Sequence, residues 1–145
     1  RLEALMPIGV SNPAPPTGGS VNPSGTGTGI NYIGNLAYAT SGAVEVNNVS
    51  KSLVKFTTGG ETLFGNAQFF YAENSNDRFA YTVKFNGTII AQYFVFGPAD
   101  TNGEHLLSNP VILVIPPFTE VELVALNIEN SNSRQQCATF MGQVY

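Results

Sequence analysis

A chain of 145 residues with 43% hydrophobic content is long enough for one core and too apolar to be disordered. Only 11% of its residues are charged, against about 25% in ordinary soluble domains; Asn, Ser, Thr, Gln and Gly must therefore cover the surface, which suits display outside cells or packing against neighbours better than a free cytosolic enzyme. Six Lys+Arg and a formal net charge of −4 leave no basic stripe for phosphates, so no nucleic-acid partner is expected, and no apolar run approaches the ~18 residues of a membrane helix.

Residues 1–29 carry Pro7, Pro13, Pro15, Pro16 and Pro23, five of the nine prolines, and close on Ser24-Gly-Thr-Gly-Thr-Gly29. Such a segment favours extended or polyproline conformations and builds no core of its own. It predicts an extended N-terminal arm ahead of a folded domain over residues 30–145. Leu2, Leu5, Met6, Ile8 and Val10 make its start apolar, which a solvated tail would not need. They are the candidate interface residues, suited to docking on a neighbouring subunit; a solvated tail is the other reading. The opening residues lack the apolar stretch of a signal peptide.

From Ile30 the pattern becomes strands. Residues 31–40 hold Tyr32, Leu36 and Tyr38, residues 43–49 alternate around Val44 and Val46, and residues 52–57 alternate Leu53 with Lys55 and Val54 with Phe56. Thr58-Gly-Gly60 reads as a loop and residues 67–72, with Phe69-Phe70-Tyr71, as a strand. The blocks Phe79-Ala-Tyr-Thr-Val-Lys-Phe85 and Thr88-Ile-Ile-Ala-Gln-Tyr-Phe-Val-Phe96 meet at Asn86-Gly87. That pair suits a type I′ turn, whose two central residues both need positive φ. Residues 97–109 read as a polar loop containing His105. Residues 111–115 form a short strand stopped by Pro116-Pro117. Val121, Leu123 and Ala125 alternate with Glu122, Val124 and Leu126, residues 130–133 are a turn cluster, and residues 136–145 form a last strand. Cys137, the only cysteine, falls in an apolar alternation and is expected as a small buried hydrophobe. About eight or nine short strands separated by polar turns, with no helical period, predict an all-β protein: an antiparallel β-sandwich of jelly-roll or Greek-key type.

Chemistry is sparse. Nucleophilic sites need a base beside the nucleophile, and His105 is the one histidine, with no Gly-x-Ser-x-Gly elbow in the chain. One His and one Cys cannot furnish the usual zinc ligands. Glu120 and Glu122 fall on one strand face, about 6–7 Å apart by strand rise. Two glycosidase carboxylates could use that spacing, but a solvated face explains it as well, and no Trp offers a sugar platform. Asp100-Thr-Asn-Gly-Glu104 has oxygens and a glycine without the calcium-loop pattern. Residues 24–29 have no preceding strand, no Lys and no following helix, so they make no phosphate loop. Glu73, Asp77, Asp100, Glu104, Glu120, Glu122 and Glu129 are expected in solvated edges and loops. Asn48-Val-Ser50 and Asn86-Gly-Thr88 are acceptor sequons that matter only in a glycosylating host. The expectation is a binding or assembly protein, not an enzyme, with no cofactor and no metal. Most of its tyrosines should face the core or a subunit interface.

Phe85-Asn-Gly-Thr-Ile-Ile-Ala, Ile115-Pro-Pro-Phe-Thr-Glu-Val-Glu-Leu, Asn127 and the closing Met141-Gly-Gln-Val-Tyr145 together resemble small β-sandwich auxiliary proteins of virus particles, notably the head decoration or cement proteins of tailed bacteriophages. The resemblance covers residues 79–145 and transfers no functional residue. It implies a structural virion protein on the capsid surface: a homo-oligomer that clamps the major capsid protein or other virion subunits and stabilises the coat lattice, with the arm adding contacts across subunits. The alternative is a carbohydrate- or receptor-binding module of a fibre or adhesin, an extracellular role, with its site in loops 58–66, 73–78 and 97–109.

Overall fold

The computed structural model describes residues 29–72, 77–96, 105–107 and 109–145. Of the arm expected over residues 1–29, residues 1–28, with Leu2, Leu5, Met6, Ile8 and Val10, lie outside the described residues. Eleven strands follow in order among the described residues: β1 (Asn31–Ile33), β2 (Leu36–Thr40), β3 (Val44–Val46), β4 (Lys51–Thr57), β5 (Leu63–Ala72), β6 (Arg78–Phe85), β7 (Thr88–Phe96), β8 (His105–Leu107), β9 (Val111–Ile115), β10 (Glu120–Asn127) and β11 (Arg134–Val144). They form two antiparallel sheets. The larger runs β1-β2-β11-β5-β8, with β3 also on β11 and β9 also on β5; the smaller runs β4-β10-β6-β7.

The topology grows from the β6–β7 hairpin. Asn86 (φ 49°) and Gly87 (φ 80°) take the positive φ values that the turn demands. Around this innermost pair the chain nests outward: β5 pairs with β8 and β9, β4 with β10, and β2 and β3 with β11. A long β-ribbon folded at one hairpin and then rolled brings β11 against β5 and β10 against β6. That is a jelly roll, an architecture found in viral capsid and lectin domains among others. Strands β2 and β3 share one edge of β11, broken at Gly42 (φ 66°). Strands β8 and β9 share one edge of β5. Eight strand positions plus the short β1 hairpin, which turns at Gly34 (φ 60°), therefore account for all eleven.

The sheets meet over an aromatic core. Phe56 of β4 packs on Phe140 of β11 at 5.6 Å between ring centroids, and Phe69 of β5 on Tyr81 of β6 at 4.6 Å. The buried Tyr81 hydroxyl donates to Gln136 Oε1 at 2.5 Å, a polar tie from one sheet to the other that satisfies both groups inside the core. Ile30 is buried at the edge of the core, and Gly29 N donates to Lys55 O on β4. An irregularity between Leu123 and Val124 in the β4–β10 register lets the consecutive Leu53 and Val54 both be buried.

Four expectations are corrected. Residues 31–40 are not one strand but a hairpin, because Gly34 adopts positive φ. Residues 63–66 belong to β5 instead of a loop, since β11 and β9 both pair with them. His105 lies in β8, not in a polar loop, because β5 offers residues 70–72 as pairing partners. Cys137 is half-buried on the outward side of β11, where its Sγ lies 3.8 Å from Thr40 Oγ1; the inward positions are Gln136, Ala138 and Phe140.

Candidate interaction face

The outer surfaces of the two sheets differ in chemistry. On the smaller sheet Lys55, Glu122 and Lys84 stand side by side across β4, β10 and β6. Lys55 Nζ lies 3.6 Å from Glu120 Oε2, an exposed pair. Glu120 and Glu122 thus face lysines on a solvated strand surface, as alternation in an antiparallel sheet leads one to expect.

The larger sheet breaks that rule. Two cross-strand rows on its outer side are uncharged and apolar at three of their four positions. One runs Leu36, Gln143, Phe64, Val114; the next runs Tyr38, Met141, Asn66, Ile112. All eight residues are exposed, and the six apolar ones leave between 36% (Tyr38) and 73% (Ile112) of their surface uncovered. Neighbouring cross-strand positions are close enough to touch, so these side chains form one patch instead of scattered surface residues. No charged residue interrupts either row.

The cause lies on the inner side. The row between the two apolar rows is Ala37, Gly142, Gly65, Leu113, three of its four members being Ala or Gly. A Cβ added at Gly142 would come within 2.8 Å of Phe140 Cζ, so the Phe140 ring occupies the space that side chains there would fill. The large residues of these strand segments are accordingly on the outside. The candidate face was missed because Leu36 and Tyr38 look like core in a linear reading; the small residues between them were the available signal.

A buried polar cluster also has no signal in the linear pattern. Asp77 is buried at the entrance to β6 and accepts from Arg134 Nε at 2.6 Å, Asn127 Nδ2 at 3.3 Å and Asn130 Nδ2 at 3.3 Å. Asn127 Oδ1 in turn accepts from Glu129 N at 3.1 Å. This network pins the β10–β11 turn to the start of β6. It corrects the expectation that Asp77 is solvated, because a buried carboxylate persists where a cation and amide donors converge on it. Glu129, by contrast, is exposed and lies 4.0 Å from Arg78 Nη1.

Among the described residues no group of three or more His, Cys, Asp or Glu side chains could hold a metal ion. Of the loops considered for a glycan site, residues 73–76, 97–104 and 108 lie outside the described residues, and residues 63–66 are strand.

No family model and no curated protein matches the chain. Among solved structures the chain is similar to one in the structure of the infectious bursal disease virus Gx strain (TM-score 0.47, 13% identity, 90% of this chain and 38% of that chain). It is also similar to one in the Gt strain structure (TM-score 0.46, 15% identity, 93% of this chain and 38% of that chain). A third is in infectious bursal virus derived T=1 particles (TM-score 0.45, 13% identity, 90% of this chain and 36% of that chain). The chain spans under two-fifths of the length of each of these three chains.

Proposed function

We propose that this chain is a structural subunit of a virion, a decoration or cement protein that seats the outer face of its larger sheet on a coat protein and stabilises the coat lattice. It acts by binding and not by turnover. The observation that carries this reading is the pair of uncharged, exposed apolar rows on β2, β11, β5 and β9. A contiguous apolar patch on a folded domain marks an interaction site. The decoration-protein resemblance of residues 79–145 supplies the setting.

Magnitudes fit many weak contacts better than one strong one. Burying six half-covered apolar side chains is worth roughly 5–10 kcal/mol gross. Association itself costs about 4–15 kcal/mol. One copy is thus held weakly, and many copies on a lattice gain by avidity.

The test is co-sedimentation of the purified protein with particles assembled from its coat protein. Binding that is lost in Met141→Lys and Ile112→Lys supports the proposal. Equal binding by those variants, or specific glycan binding with no particle binding, overturns it.

A further inference from the structure

The smaller sheet ends in β7, and among the described residues no strand pairs with its outer edge. An open edge is a template for another strand, and folded proteins usually blunt it with charge or Pro. Over nine residues β7 has neither: its sequence is Thr-Ile-Ile-Ala-Gln-Tyr-Phe-Val-Phe. This is notable beside β4 at the opposite end of the same sheet. There Lys51 and Lys55 supply charge, Gly29 N bonds Lys55 O, and Ile30 buries itself over the core. At that end the chain itself covers part of the edge.

At β7 the core is unfinished. Ala91, Tyr93 and Val95 point inward and pack on it, yet each is only partly buried. On the outward side Gln92 and Phe94 are exposed, Phe94 by 50%. The irregularity opposite Val83 and Lys84 leaves Ile90 as the extra residue, and from Ala91 to Phe96 the strand pairs regularly with β6, so the bulge blunts the edge up to Ile90 and leaves the rest flat.

We propose that β7 pairs antiparallel with β7 of a second copy about a twofold axis at Gln92, joining two four-stranded sheets into one of eight strands. The sequence is self-complementary in that register. Ala91 meets Tyr93 of the second copy and Gln92 meets Gln92, with the bulged Ile90 lying beside Phe94 at each end of the contact, so apolar faces apolar and neutral polar faces itself. A twofold contact requires such self-matching. No charge on β7 opposes the union, although the chain as a whole carries a net charge of −4. The surface is separate from the face of the larger sheet and does not depend on the virion reading.

Sedimentation velocity on the full chain tests this, with hydrogen exchange read alongside. The wild type should sediment as two chains, and amides in residues 90–94 should exchange more slowly at concentrations that favour the dimer. Gln92→Lys sets two ammonium groups against each other on the axis, and like charges directly opposite are destabilising; it should sediment as one chain with an unchanged circular dichroism spectrum. Gln92→Thr, neutral and strand-favouring, should keep the dimer. Removal of residues 1–28 should keep it too. A monomeric wild type overturns the proposal, as does a dimer that survives Gln92→Lys. A dimer lost in Met141→Lys but kept in Gln92→Lys assigns self-association to the larger sheet and also overturns it. Loss of the dimer together with residues 1–28 gives the edge to that segment, again against the proposal.

Discussion

A methyl group at Gly65 would fall inside van der Waals contact with the Met141 carbonyl oxygen and the Gly142 Cα. Both are backbone atoms of the neighbouring strand, so no rotamer change relieves the clash and the strands must separate. Gly65→Ala is expected to destabilise the protein by about 2–3 kcal/mol, read as a lower denaturation midpoint. At Gly142 the obstacles are the edge of the Phe140 ring at 2.8 Å and the Phe64 carbonyl oxygen at 3.0 Å, a milder backbone approach than at Gly65, so Gly142→Ala should cost less, about 1–2 kcal/mol; an equal loss at the two sites would refute this ranking. Tyr32 gives a pH-dependent expectation. Burial first, then the charge of Glu61 and a long hydrogen bond from the phenol to Glu61 Oε2 (3.4 Å), push its pKa above the ordinary value. The folded state therefore holds this proton more tightly than the unfolded state does. The contribution is intact below the unfolded value of about 10 and is lost as pH rises towards the folded one. Tyr32→Phe should flatten the alkaline fall of the stability curve above about pH 10; an unchanged slope in denaturant titrations would exclude Tyr32 as its source.

The β6–β7 hairpin is the element from which the nest is built, and its turn is tied beyond itself. Asn86 N donates to Glu120 O at 2.8 Å, and Glu120 N donates to Asn86 Oδ1 at 2.9 Å, so the turn also aligns the start of β10. Asn86→Ala forfeits a residue suited to positive φ and gives up an exposed hydrogen bond that water can replace; a loss of about 1 kcal/mol is expected. If the hairpin forms early, that loss should appear mainly as slower refolding, with the unfolding limb little changed. A chevron showing only faster unfolding would place the hairpin late. This element was legible in the sequence because its chemistry is local: two residues of positive φ between blocks of strand formers. The beginning of β5 was not. Phe64-Gly65-Asn66 has turn-like composition, and it is strand only because β11 and β9, distant in the chain, flank it on both sides. Residues 105–107 look like loop in the sequence for the same reason, being three residues that only the partner strand makes extended.

For the whole molecule, alternation announced two layers and left open which side of each strand faces in. On β10 the reading is direct up to Leu123, because Val121 and Leu123 are buried and Glu122 is not; past the irregularity Val124 is buried along with Ala125. On β2 the usual size rule is inverted: Ala37 and Ala39 are buried while Leu36 and Tyr38 are exposed. The reason is cross-layer volume. Phe56 and Phe140 reach into the interior near the inner glycines, and no linear pattern reports what the opposite sheet contributes. The same inversion puts apolar rows on the outer side of the larger sheet, whereas the smaller sheet carries a charged row across β4, β10 and β6, and this asymmetry can be separated from stability. Met141→Lys replaces a side chain 61% exposed, so the folding free energy should shift by less than about 0.5 kcal/mol, while particle binding fails because a buried, unpaired ammonium would oppose the contact. Lys84→Ala on the charged face should change neither quantity by a comparable amount. Thermal melts and particle co-sedimentation on the same three proteins check both halves. A melting shift in Met141→Lys as large as that of Gly65→Ala would mean that the apolar rows serve the fold, and the interaction reading would lose its footing.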